Sequence, residues 1–407
     1  PPGTGKTITC IEIIQQSISR GAKVLATADS NTAVDNLVEL LARNDVCVVR
    51  VGHPARVTPA LRKHTLDHII EGNPNYLTSQ ILRERAFKIK EKQESLTAPS
   101  QRWRRGMSDD KIRRLASKGM NLRGVSSENI REMAQWLTLR EEADDLFNKS
   151  NELEDKAVDE VLDEADVVCA TNSTAGSELM GGRMFDIVII DEATQSTEPS
   201  CLIPIIHGSK VIMAGDHKQL PPTILNAKAE KKGLGETLFQ RLLGLYGKDI
   251  KEILEIQYRM HKDIMDFPNR EFYGGRLKAD EGVRFHRLGD LRGVGGEISP
   301  PLIFVDTSLM NAGERTPPGS TSKENPLEAE LVKEITEKLC TAGLGGGEIA
   351  VISPYDAQVD LLRREIRVED LEIKTVDGFQ GREKEAVVIS FTRSNPAGDV
   401  GFLQDLR

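Results

Sequence analysis

No CxxC pair, no long apolar run and no excess of positive charge occur in this 407-residue chain. The five cysteines, Cys10, Cys47, Cys169, Cys201 and Cys340, are odd in number, far apart and without Cys/His spacing, which excludes a cysteine-built zinc site. They fit a reducing compartment, cytoplasm or nucleus. Apolar runs too short to span a bilayer exclude a membrane partner, and neither a signal peptide nor a lipidation motif is visible. The net charge of -9 argues against a passive nucleic-acid coat, because neutralising phosphates requires Lys and Arg. Charge is nevertheless uneven. Residues 81–123 hold 13 Lys and Arg against 5 Asp and Glu, and 141–166 hold 12 acidic against 2 basic residues. Local fields therefore outrank the sum.

What is present is an α/β pattern. Short runs rich in Val and Ile recur at 24–28, 166–170, 185–190, 211–214, 302–305, 349–352 and 386–391, separated by helical stretches, as in parallel sheets. A chain of this length calls for two domains. The first is expected over 1–248 and the second over 249–407, with a hinge near 246–253. Between about 58 and 160 the strand-like runs vanish, charge becomes dense, and Ile130, Met133, Leu137 and Phe147 recur at near-helical spacing, which predicts a helical insertion. The polar stretch 311–325 reads as a surface loop.

Five short motifs carry the chemistry. PPGTGKT at 1–7 has the form of a phosphate-binding loop: Gly3, Thr4 and Gly5 let backbone amides curl around phosphates, Lys6 supplies a fixed charge, and the Thr7 hydroxyl reaches a magnesium ion. A helix over 8–18 adds its amino-terminal dipole. A plain Gly-rich turn has no need of the Lys-Thr pair. DEATQ at 191–195 ends an apolar strand with Asp191, suited to hold magnesium, and Glu192, suited to activate water. GDHKQLPP at 215–222 brings Gln219 to the same edge. QYRMH at 257–261 offers Tyr258 as a flat surface for a base and Arg259 as an arginine finger. DGFQGREKE at 377–385 offers Glu383 to a sugar hydroxyl. The catalytic set is thus Lys6, Asp191, Glu192, Gln219 and Arg259, with ATP and Mg2+ implied.

Together these motifs resemble superfamily 1 helicases of the branch containing the nonsense-mediated-decay helicase. SNTAVDNLVELL at 30–41, RVGHPAR at 50–56, and GREKEAVVISFTRSN followed by VGFL are most similar to the immunoglobulin mu-binding, or polymerase-alpha-associated, group. The resemblance implies two RecA-like P-loop NTPase domains with ATP between them and 5′ to 3′ movement on single-stranded DNA or RNA. It also implies replication, ribosome or RNA-processing machinery as partners. It assigns Ser30, Asn31, Thr171, Ser353 and Thr375 to the nucleic-acid backbone, and Gln219, Tyr258, Arg259 and Glu383 to the nucleotide. Where relatives commonly carry Pro-Ser-Asn, this chain has Asp29-Ser30-Asn31, an acidic side chain beside the phosphate track.

The chain opens inside the loop and stops at Arg407 without a helix end, so the expectation is a piece of a longer protein, inactive alone, lacking the strand before Pro1 and the final motif. The basic segment around Trp103 reads either as an auxiliary nucleic-acid clamp or as a solvated helical face. A nucleic-acid-binding scaffold that uses ATP as a conformational ligand is the rival function, and Glu192 argues against it because binding alone does not need that carboxylate. A nuclease-helicase would need a carboxylate cluster that this span does not display.

Overall fold

A computed structural model describes residues 1–52, 57–295 and 300–404. The last four residues of RVGHPAR, 53–56, lie outside them. The chain forms two compact units, one comprising Ile14–Val188 with His207–Lys210, the other Pro1–Ile13, Ile189–Ile206 and Val211–Arg407.

In the Ile14–Val188 unit a parallel sheet forms because its strands are apolar on both faces. Helix α1 (Lys6–Ile18) runs into it, followed by β1 (Val24–Ala28), α2 (Asn31–Ala42) and β2 (Val48–Val51). Every residue of β1 and β2 is buried. Helix α2 is set by its ends and its face: the Ser30 hydroxyl accepts from the Ala33 N–H, and Val34, Leu37, Val38 and Leu41 repeat at helical spacing and are buried. Each such side chain contributes about 1.5–3 kcal/mol of burial, so Leu37→Ala is the kind of change that loosens this layer.

The predicted helical insertion comprises α3 (Pro74–Glu94), α4 (Asp109–Ser117) and α5 (Ser127–Glu164). Helix α5, 38 residues long, extends about 57 Å at 1.5 Å per residue. Helices α3 and α5 run antiparallel: Asn75 donates to Glu160 at 2.9 Å, the Ser150 hydroxyl to the Ser79 carbonyl at 2.9 Å, and Gln93 to the Trp136 carbonyl at 3.2 Å. The insertion has its own small core of Met107, Ile112, Val125, Ile130, Met133 and Leu137. Of the four residues whose spacing predicted the helix, Ile130, Met133 and Leu137 are buried and Phe147 is half-buried, edge-on to Phe87.

After α5 the chain returns through β3 (Val167–Thr171), β4 (Phe185–Ile190) and β5 (Gly208–Met213), giving the sheet order β2-β3-β1-β4-β5. Strands β4 and β5 carry the chain into the other unit. There, β6 (Ile256–Gln257) precedes α6 (Lys262–Phe272) and pairs in parallel with β7 (Lys278–Ala279). Helix α7 (Pro326–Thr341), β8 (Ile349–Ser353), α8 (Asp356–Glu365), β9 (Glu372–Thr375) and β10 (Ala386–Ile389) build a three-stranded parallel sheet ordered β10-β8-β9. Val332, Val351, Val359, Leu362 and Ile373 form the core between this sheet and α7 and α8.

Two expectations are corrected. The run 302–305 forms no strand and its side chains are exposed. An apolar run becomes a strand only where an edge accepts its backbone, and among the described residues no ladder takes it up. The polar loop 311–325 is not wholly at the surface either. Its end is buried because Asn325 caps α7 while donating to the Ala312 carbonyl at 2.7 Å, and Glu324 pairs with Arg315.

None of the five cysteines is in a disulfide. Burial pushes the Cys10 and Cys169 thiols up to about 12, so they behave as small core residues. Among the described residues, no helix is long and apolar enough to cross a membrane.

Candidate active site

The phosphate-type loop takes its shape from two left-handed glycines, Gly3 (φ 69°) and Gly5 (φ 73°). Gly3 has a second reason to lack a side chain, since a Cβ there would lie 2.7 Å from the Cβ of Arg259. The Tyr258 N–H donates to the Gly3 carbonyl at 2.8 Å, so the loop and the QYRMH segment are in backbone contact. Two side chains close the loop on itself: Lys6 Nζ and the Thr4 hydroxyl both donate to the Pro1 carbonyl, at 3.0 and 2.9 Å. The loop feeds straight into α1, whose first turn carries no acidic side chain and whose first N–H groups have no partner within the helix, as an anion site at a helix start requires.

Strand β4 delivers the DEATQ carboxylates. Asp191 is buried, accepting from the Thr7 hydroxyl at 2.9 Å and from the Glu192 N–H at 2.9 Å. Glu192 follows in the left-handed region (φ 50°), which turns its side chain away from the strand direction, and Gln195 donates to it at 2.9 Å. Burial raises both carboxyls above their ordinary values, against the opposing pull of the Thr7 hydroxyl on Asp191 and of the Lys6 charge on both. The donor set suits magnesium: one hydroxyl and one carboxylate in contact beside a phosphate cradle, and a small hard cation that keeps several waters needs few protein oxygens.

These groups face a cavity of about 1030 Å³ lined by Gly3, Thr4, Gly5, Lys6, Thr7, Glu192, Gln219, Tyr258, Arg259 and Glu383. Every residue predicted for the nucleotide therefore lines one cavity, and Asp191 sits behind Thr7. Within it, Arg259 Nε donates to Glu383 Oε2 at 2.6 Å, so the predicted finger and the predicted sugar contact engage each other. Sequence reasoning missed an apolar wall of Ile253, Leu254 and Ile256, and also Lys278. The apolar residues within 253–256 were the signal that could have found the wall.

The five residues predicted for nucleic acid lie at the carboxyl ends of parallel strands, and none lines the cavity. In one sheet Thr171 is the register partner of Ala28, two residues before Ser30; in the other Ser353 is the partner of Thr375. Their side chains are already engaged. Ser30, Thr171 and Thr375 accept from N–H groups three residues on, Ser353 meets the Thr392 hydroxyl at 3.0 Å, and Asn31 Oδ1 accepts from Arg50 at 2.8 Å. Arg50 is fully buried and also donates to Asp35, which in turn accepts from Thr58.

Two sequence-family models, each described as an AAA domain, match residues 1–227 and 234–407. The whole chain aligns at 47% identity with an uncharacterised ATP-dependent helicase of Methanocaldococcus jannaschii, covering 61% of that protein. It aligns at 40% with the DNA-binding protein SMUBP-2 of Rattus norvegicus, covering 39% of it, and at 36% with the DNA polymerase alpha-associated DNA helicase A of Schizosaccharomyces pombe, covering 57%. The chain thus spans less than two thirds of each of these relatives. By these matches the chain belongs to the AAA-domain family, within the superfamily 1 helicases that its motifs resemble.

Proposed function

We propose that this chain is the motor core of an ATP-dependent helicase that hydrolyses ATP in the cavity and advances 5′ to 3′ along single-stranded DNA or RNA. The observation that carries the reading is the convergence of Lys6, Thr7, Glu192, Gln219 and Arg259 on one cavity, with Asp191 bound to Thr7 behind it. The names of the relatives, which include a DNA-binding protein and a polymerase-associated helicase, support a nucleic-acid track and partners in replication. The two RecA-like halves are taken as 1–248, with the insertion at about 58–160, and 249–407.

In this reading Lys6 leaves the Pro1 carbonyl to neutralise the phosphates. Thr7 and Asp191 hold Mg2+, which when bound supplies charge neutralisation at the phosphates. Glu192, kept basic by burial, takes a proton from the attacking water. Arg259 exchanges Glu383 for developing charge on the phosphate, and Glu383 is thereby released to the sugar. Tyr258, more than half exposed, offers its ring to the base. Ser30, Asn31 and Thr171 in one sheet, and Ser353 and Thr375 in the other, touch phosphate and sugar, so sequence preference is slight.

The test is ATP turnover by the intact parent protein with and without single-stranded DNA and RNA at matched salt. Strong stimulation is expected, and the better polymer identifies the track. Glu192→Gln should abolish turnover while sparing ATP binding; retained turnover would remove Glu192 from the mechanism. ATP binding without stimulated turnover would support the scaffold instead.

A further inference from the structure

We infer that Tyr273 and Asp216 are a positioning pair that fixes the orientation of the Gln219 amide at the nucleotide cavity. The inference rests on the proposed ATP site and adds two residues to it.

Asp216 is 4% exposed, and its carboxylate is crowded with donors. Its Oδ2 accepts from Gln219 Nε2 at 2.8 Å and from the Tyr273 hydroxyl at 2.7 Å, and its Oδ1 accepts from the Lys218 N–H at 3.1 Å. The Asp216 N–H donates to the Thr194 hydroxyl at 3.0 Å, tying the hub to DEATQ. Burial and the adjacent carboxylate push the Tyr273 phenol well above its ordinary value, so it stays a donor.

A carboxylate only accepts, and an amide has one accepting and one donating end. Asp216 therefore decides which way Gln219 faces, because turning the amide would set oxygen against oxygen. With one N–H spent on Asp216, Oε1 and the second N–H are what the amide has left for the cavity that Gln219 lines. The oxygen can align a water, which has protons to give, and the second N–H can meet a phosphate oxygen, which has none. The pair thus fixes one orientation of the amide, in which both ends can be used at once. Tyr273 supplies the second donor that pins the carboxylate. It sits at the carboxyl end of α6, the helix that begins immediately after QYRMH, so the contact joins the Arg259 segment to Gln219 through one helix.

Tyr273→Phe in the intact parent removes a single oxygen. Polymer-stimulated kcat is expected to fall about 10- to 100-fold, the loss typical of a hydrogen bond to a charged group, while KM for ATP and the melting temperature hold. In a Gln219→Ala background, Tyr273→Phe should produce no further loss, because Tyr273 acts only through Gln219. Additive losses, or a parallel fall in melting temperature and kcat, would reduce Tyr273 to a structural tether and overturn the pair. Unchanged kcat in Tyr273→Phe beside an active parent overturns the pair and leaves the ATP site standing. A parent without turnover overturns the ATP site and the pair with it.

Discussion

The cavity and the helical insertion are both dense in charge and use it in opposite ways. In the insertion, the basic residues of α3 and α4 meet the acidic residues of α5: Arg83 pairs with Glu154 and Arg113 with Glu141, while Arg104 is taken by Asp109 within the basic segment. Part of the local excess in the sequence is thus paired in space, and such exposed pairs contribute at most about 1 kcal/mol each. Around the cavity, Asp191 and Glu192 are instead withdrawn from water and raised in pKa, and Lys6 rests on a backbone carbonyl. Chemistry needs charge that is held but unspent, whereas packing needs charge that is spent.

That contrast can be broken most decisively at Lys6. Lys6→Ala should lower ATP turnover in the intact protein by roughly 10³-fold, about 4 kcal/mol of barrier, with the fold retained by circular dichroism. Ile112→Ala probes the other side. It empties a fully buried position in the insertion's core and should cost about 3 kcal/mol of local stability, read by hydrogen exchange, while turnover holds. Charge reversal at Arg102, Arg104 and Arg105 is expected to weaken single-strand binding and to flatten its salt dependence by about 0.7 in log-log slope for each phosphate no longer neutralised. An unchanged slope would mean that this face is only solvated. The smallest effect is at Glu372, held down to about 2 chiefly by Lys384, with Lys374 and Arg382 also contributing. A lowered carboxyl stabilises above its unfolded value and loses that contribution as pH falls towards 2. Glu372→Gln should therefore melt slightly earlier at neutral pH, by under about 1 kcal/mol, with the gap closing below about pH 4.

The site was largely legible in the sequence, because a loop that must turn tightly around phosphates restricts both residue type and spacing, as at Gly3, Gly5, Lys6 and Thr7. Helix α5 was legible for a related reason: Ile130, Met133 and Leu137 mark one face by period alone. Tyr273 carried no such mark. Its meaning comes from a carboxylate 57 positions away, and no local rule encodes that. Charge pairing in the insertion was hidden likewise, since composition counts charges and does not assign partners. The segment 302–305 misled in the other direction, having strand-like residues without an edge to receive them.

The hydroxyls of Ser30, Thr171 and Thr375 each end a strand by opening a helix. A polymer gripping them would borrow oxygens already employed in holding the backbone, so any change to such a grip at these positions would also change the rigidity of the backbone. Exchange of Ser for Thr should be nearly silent there, whereas Ala would be felt first as a frayed chain and only second as a missing handhold.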